Sequence, residues 1–231
     1  MVNKSPDRSP ERAREDYLKV IYSLTERRPA KAAEVARTLG ITRASVSKFK
    51  RLLEREKLIE PAAGRTDALR LTKKGERLAV RMVRRHRLLE TFLHTTLRVP
   101  IDRVHSEAER IEHAISEDVC GRLARFLHYP ATDPHGHRIP LSTLPHASGH
   151  EVALAAVEPG SSVVVKSVDD RDAGVIRRLL ALGVLPGLRA EVAGREAESI
   201  QLKVGRRTIA VSRVAAADVR CVVVKRAPKA A

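Results

Sequence analysis

Imidazoles and carboxylates recur at helical spacing in two places along this 231-residue chain. His105, Glu109, Glu112 and His113 stand at i, i+4, i+7 and i+8. At about 100° per residue they fall at roughly 0°, 40°, −20° and 80°, which predicts one face of one helix. Upstream, His86 and Glu90 repeat the i, i+4 step. Nitrogen and oxygen donors that converge in this way are metal-ligand material. A pair of amphipathic helices with salt-bridged polar faces would show the same spacing, and the neighbouring Arg84, Arg87 and Arg110 suit that alternative. Two such groups on consecutive helices are less easily dismissed as salt bridges, and spacing alone leaves metal and ion-pair readings evenly open.

A second chemistry is written in charge. The chain carries 44 Lys and Arg against 28 Asp and Glu, a net +16. Residues 1–100 hold 25 basic and 12 acidic side chains (+13), and the remainder 19 and 16 (+3). A basic block of this size is the electrostatic footprint of a nucleic-acid binder, because each phosphate contact releases condensed counterions. A solvated basic surface would give the same count, so charge leaves both readings open.

These side chains need elements to position them. Ser9-Pro10-Glu11 reads as an N-cap followed by proline at the first helical position, and Ala13, Tyr17, Val20, Ile21 and Leu24 continue at helical spacing. A short helix over 31–39 stops at Gly40, and Thr42 caps a third with the stripe Val46, Phe49, Leu52 and Leu53. Helix, a Gly-Ile-Thr turn and helix is the helix-turn-helix signature. Leu58-Ile59 and Leu69-Arg70-Leu71 flank a Pro/Gly/Asp turn cluster, which adds a basic hairpin and so a winged helix. In this arrangement Arg43, Ala44, Ser45, Ser47 and Lys48 face the major groove, and Arg65 and Arg70 of the wing reach phosphate or the minor groove. A winged helix used for protein contacts remains an alternative that the concentrated charge disfavours.

Beyond the wing, periodicity predicts an unbroken helix over 73–97 and another over about 104–127, with Ile111, Ile115, Val119, Leu123 and Phe126 on one side. Residues 129–149 are rich in Pro, Gly and His and read as irregular. Five short β-branched runs then follow, SSVVVKSV, LRAEVAG, SIQLKV, TIAVS and VRCVVV, with one helical stretch over 173–182. They suit a small β-barrel better than a sandwich. The expected fold class is therefore mainly α with a small all-β C-terminal domain. Its segments are a winged helix-turn-helix over 1–73, a helical domain over 74–140 that carries the candidate metal donors, a linker over 141–149 and a barrel over 150–227.

Several classes are disfavoured. No apolar stretch approaches the ~18 residues of a membrane helix, and the first residues are charged where a secretory leader would be apolar. Cytoplasmic placement is expected. Cys120 and Cys221, 101 positions apart, fit neither a disulfide framework nor a metal clip, and Cys120 reads as a buried inert thiol.

The segments EDYLKVIYSL (15–24), GITRASVSKFKRLLEREKLI (40–59), VRRHRLLETFL (83–93), VHSEAERIEHAISEDV (104–119) and DPHGHRIP (133–140) resemble the diphtheria toxin repressor and manganese transport regulator family of metal-activated transcription factors. The C-terminal stretch is similar to the SH3-like barrel related to ferrous-iron transport protein A. The resemblance implies two metal sites. Asp16, Glu109, Glu112 and His113 match the first. Iron-type members carry Met and Cys where this chain has Asp16 and Glu109, so the donor set is that of manganese-type members, and hard oxygen donors suit Mn²⁺. His86, Glu90 and His105 match the ancillary site of iron-type members; alternatively Asp133 and His135 serve with Glu90, as in some three-domain manganese regulators. Lys19 stands where two-domain manganese regulators carry a second carboxylate, so their paired-metal geometry does not transfer. Asp169, Asp170 and Asp172 are candidate barrel ligands, none singled out.

The expected function is a homodimeric, Mn²⁺-activated repressor of metal homeostasis genes that binds a palindromic double-stranded DNA operator. Fe²⁺ is a second candidate, and other divalent transition metals are expected to bind in vitro. No membrane partner, small-molecule substrate or enzymatic activity is expected. A winged-helix regulator of a non-metal signal and a dimetal hydrolase are the alternatives.

Overall fold

The computed structural model describes residues 9–26, 29–61, 67–140 and 151–225. The chain divides into two compact units, one of Met1–His86, Ile111–Gly121 and Pro140–His146, the other of Arg87–Arg110, Arg122–Ile139 and Ala147–Ala231.

In the first unit, α1 (Pro10–Thr25) begins as expected, with Ser9 Oγ accepting from the Arg12 backbone N–H at 3.2 Å. A short strand, β1 (Ala30–Lys31), leads into α2 (Ala32–Leu39), and Gly40 ends that helix at φ 64°, a left-handed conformation that favours glycine. Thr42 then caps α3 (Arg43–Arg55) by accepting from the Ser45 N–H at 3.1 Å. Strand β2 (Ala68–Leu69) pairs antiparallel with β1, and a separate antiparallel bridge joins Ile59 to Leu71. The wing thus borrows a third segment, Ala30–Lys31, too short for alternation to reveal. One core unites these pieces: Leu18 and Ile21 of α1, Val35 of α2, Val46 and Leu53 of α3, Ile59, Leu69 and Val80 are all buried. Tyr17 stacks on Phe49, ring centroids 4.2 Å apart. Arg65 and the linker 141–149 lie outside the described residues.

Helix α4 (Lys73–Thr95) runs unbroken, as expected. The following helix does not: it is α5 (Ile101–Ile111) and α6 (Glu117–Phe126), separated by a turn over 112–116. Ala114 N–H closes on Ile111 O at 2.9 Å, and Ser116 restarts the chain as a cap, its Oγ accepting from Val119 N–H at 3.2 Å. Glu117 and Asp118 suit the positive end of α6. Ile111, Ile115 and Val119 keep a four-residue step across the turn, which is why periodicity reads through it. That stripe is also not core within one chain, for Ile111, Val119 and Phe126 remain 39%, 41% and 60% exposed.

The second unit holds a six-stranded antiparallel SH3-like sheet, one strand more than expected: β3 (Val152–Ala153), β4 (Ser162–Val168), β5 (Arg189–Arg195), β6 (Ser199–Val204), β7 (Arg207–Ser212) and β8 (Val219–Lys225), in the order β3-β8-β4-β5-β6-β7. Alternation is clear in β5 and β7, whose inward residues Ala190, Val192, Ile209 and Val211 pack with Val163, Val165, Ile200, Leu202 and Cys221. Helix α7 (Ala173–Leu182) covers this core with Val175 and Leu179, and α8 (Arg213–Ala217) adds Ala215 and Ala216. The segment 129–140 is irregular but ordered by an antiparallel bridge between Thr132 and Arg138. Gly136 sits in it at φ 88°, where an added Cβ would stand 2.0 Å from Lys166 O, so only glycine permits this approach to β4. Among the described residues no helix is long and apolar enough to cross a membrane.

Candidate metal centres and DNA-reading surface

The first unit brings Asp16, Glu112 and His113 together, with one donor atom of each within 4.8 Å of the others. Asp16 comes from α1; Glu112 and His113 come from the turn after α5, not from its face. Arg85 of α4 ties that turn down, donating to Glu112 O at 3.3 Å and Glu117 Oε1 at 2.6 Å. His113 donates from Nε2 to Asp16 Oδ1 and from Nδ1 to Glu15 Oε2, both at 2.8 Å. Burial opposes its charge, yet the hydrogen bonds to Asp16 and Glu15 prevail and push its pKa up to about 9. Glu15 escaped the sequence reading. Its signal was adjacency to Asp16, but only the fold shows that it holds the far ring nitrogen and so fixes which nitrogen faces the carboxylates.

Glu112 is 1% exposed. Lys19 Nζ donates to its Oε1 and His86 Nδ1 to its Oε2, each at 2.6 Å. Burial alone would raise its pKa, but the Lys19 ammonium and then His86 overcome that and hold it far below the usual carboxylate range. His86, matched by resemblance to the ancillary site, also bonds Glu112 in this unit. Lys19 is similarly part of the centre.

Glu109 belongs to the second unit, where its exposed carboxylate lies 3.6 Å from His105 Nε2. That unit gathers a larger donor cluster. Glu90 from α4, His105 from α5, Asp133, His135 and His137 from the irregular segment, and Asp170 after β4 fall in overlapping sets that share Glu90, Asp133 and Asp170. His105 donates from Nδ1 to Glu90 Oε1 at 3.1 Å. Asp133 Oδ1 accepts the backbone N–H groups of His135 and His137, both at 2.9 Å, which turns Oδ2 toward the cluster. His135 is fully buried and donates from Nε2 to Ile101 O at 2.9 Å, so in the neutral ring it is Nδ1 that carries the lone pair. That Nδ1 makes no hydrogen bond and stands 3.8 Å from Glu90 and 3.9 Å from Asp170. A buried acceptor held in this tautomer is a ligand arrangement.

Of the three barrel candidates the geometry separates one. Asp172 is spent as the cap of α7, accepting from Gly174 and Val175 N–H at 2.7 and 3.1 Å. The Arg171 guanidinium grips Asp169. Asp170 faces the histidines, with Oδ2 3.3 Å from His137 and 3.5 Å from His105. Burial again opposes charge on the imidazoles, but the surrounding carboxylates lift His135 to about 8 and His137 to about 10. His137 was missed because its spacing from Asp133 means nothing until the segment folds back. Cys120 joins neither centre; burial pushes its thiol pKa up.

On α3, Arg43, Ala44, Ser45, Ser47 and Lys48 are all exposed, whereas Val46 between them is buried. Arg70 beside the wing is exposed as well.

Comparison with known proteins agrees with this architecture. The family "Iron dependent repressor, N-terminal DNA binding domain" matches residues 11–63, "Iron dependent repressor, metal binding and dimerisation domain" matches 72–141, and "FeoA domain" matches 152–223. The iron-dependent repressor IdeR of Mycobacterium tuberculosis is 36% identical over 192 residues, spanning 77% of this chain and 82% of its own. The diphtheria toxin repressor of Corynebacterium diphtheriae is 36% identical over 128 residues, 54% of this chain and 55% of that one. Among solved structures, a manganese-dependent transcriptional repressor in complex with manganese superposes with a TM-score of 0.83 at 31% identity, covering 91% of this chain and 100% of that one. With its DNA-binding, metal-binding and FeoA segments in the same order, the chain belongs to the iron-dependent repressor family, the family of the diphtheria toxin repressor.

Proposed function

We propose that this protein is a homodimeric, metal-dependent transcriptional repressor, activated by Mn²⁺, that binds a palindromic operator in metal homeostasis genes. The observation that carries the reading is the meeting of Asp16, on the first helix of the winged-helix fold, with Glu112 and His113. A divalent ion held by these three would cross-link α1 to the turn after α5. Every donor is a carboxylate or an imidazole, a set that suits Mn²⁺ and also admits Fe²⁺. Glu90, His105, Asp133 and His135 offer a second centre. The manganese complex among the structural relatives favours the same metal.

The chain's own groups do the preparatory work. Glu15 orients the His113 ring, Arg85 fixes the turn, and Lys19 with His86 keep the Glu112 carboxylate ionised. An ion that prefers the DNA-competent arrangement shifts the population toward it. The exposed small residues of α3 admit close approach to the major groove, where Arg43 and Lys48 reach bases or phosphates and Arg70 supports from the wing. Val119 and Phe126, seven residues apart on α6, leave an apolar face that a second copy would cover. Two-fold symmetry in the protein then asks for a palindrome in the DNA. The protein is expected to bind duplex without cleaving it.

The test uses chelator-stripped protein and an operator selected from random duplexes in Mn²⁺. Adding Mn²⁺ should tighten binding some 5–150-fold, the range of ~1–3 kcal/mol of coupling. Equal affinity before and after stripping would end this reading. Parallel titrations with Fe²⁺ and Zn²⁺ rank the metals.

A further inference from the structure

We propose that the buried cluster of the second unit holds two divalent cations bridged by the Asp170 carboxylate, with His137 and Asp133 as ligands of the second ion. This rests on reading that unit as a metal site and goes beyond a single ion there.

The donors are too many and too spread for one centre. Six side chains contribute, and the imidazoles of His105, His135 and His137 fall in three different, overlapping sets of mutually reachable donors. Donors on one octahedral ion at about 2.1 Å lie about 3 Å apart along each edge. Two groups approach that spacing. On one side, His105 Nδ1 is 3.1 Å from Glu90 Oε1 and 3.5 Å from Asp170 Oδ2. On the other, His137 Nδ1 is 3.3 Å from Asp133 Oδ2 and 3.3 Å from Asp170 Oδ2. Asp170 Oδ2 is thus the shared vertex, and a carboxylate can bridge two ions through one oxygen or through both.

Ion pairs run through the cluster, Arg87 Nε standing 3.7 Å from Asp133 Oδ2, but two further observations point to ligation. His135 is fully buried with Nδ1 aimed at Glu90 and Asp170 and no hydrogen bond on it. Asp133 Oδ2 is likewise buried without a hydrogen bond, while Oδ1 is satisfied by two backbone N–H groups. Buried acceptors in native folds are seldom left unmatched. The loop is also built for the purpose: Gly136 permits the approach that seats His135 and His137 on either side of it.

The full-length chain, stripped and then dialysed against Mn²⁺, should retain about three ions per chain, one in the first unit and two here, as a two-metal site requires. Electron paramagnetic resonance should show an exchange-coupled Mn²⁺ pair beside a mononuclear signal. His137→Ala should lower the content to about two and abolish the coupled signal, and His137→Gln should do the same if the alanine variant folds poorly. Asp16→Asn should remove the mononuclear signal and leave the pair. Wild type retaining only two ions without coupling, or His137 variants keeping three, would overturn the proposal. A coupled pair in a protein whose DNA binding ignores metal would sink the repressor reading and leave this one standing.

Discussion

At the scale of single residues, the first centre is held by charges that depend on one another. Lys19 and Glu112 are a buried pair, 2.6 Å apart. Removing one member leaves an uncompensated ion, so Glu112→Ala should cost about 3–5 kcal/mol in urea unfolding. It is therefore a stability probe, and Asp16→Asn is the cleaner probe of metal: it should abolish metal-dependent operator binding in gel shift while circular dichroism stays native. Persistent metal response in that variant would break the site assignment. His113 gives a pH dependence of defined sign. Its pKa, raised to about 9 in the folded chain, means that an ion must displace a proton. Mn²⁺ affinity should therefore fall as pH drops below 9, by up to tenfold per unit for each proton released. Isothermal titration at several pH values measures it, and a flat profile would exclude His113 as a ligand.

At the scale of elements, the decisive feature is the turn between α5 and α6. Had the helix continued, Glu112 and His113 would ride on its face with His105; the break sends them to α1 instead, leaving His105 and Glu109 to the second unit. The Ser116 cap sustains it, and Ser116→Ala should cost about 1 kcal/mol in chemical unfolding. A second element, the segment 129–140, depends on Gly136. Alanine there meets both a left-handed backbone and the Lys166 carbonyl. Gly136→Ala should lose about 1–3 kcal/mol and the metal of the second unit, with Asp16-dependent binding retained. Metal content read by elemental analysis checks it; an unchanged content would show that the segment does not hold ligands.

At the scale of the whole molecule, the relevant quantity is the +13 carried by the first hundred residues against +3 in the rest. Operator binding should weaken steeply with salt, and Arg70→Ala should lower that slope by about one unit if it meets a phosphate. Lys48→Ala should cost about 1–3 kcal/mol on the selected operator and less on unrelated duplex. Equal losses on both would make Lys48 a backbone contact.

Much of this was readable along the chain. Caps at Ser9 and Thr42, the stop at Gly40 and the stripe of α3 are local signals, because they depend on backbone groups within a few residues. They were enough to place the winged helix and the residues it exposes, and composition identified the all-β end. Donor types were legible too: oxygen and nitrogen, without sulfur. Not every partnership was. That Lys19 and His86 both pair with Glu112, and that Asp170 rather than Asp169 or Asp172 faces the histidines, is visible only in the fold. Each of these pairs unites segments distant in sequence, whose meeting is set by core packing and one helix break, and periodicity carries no trace of either.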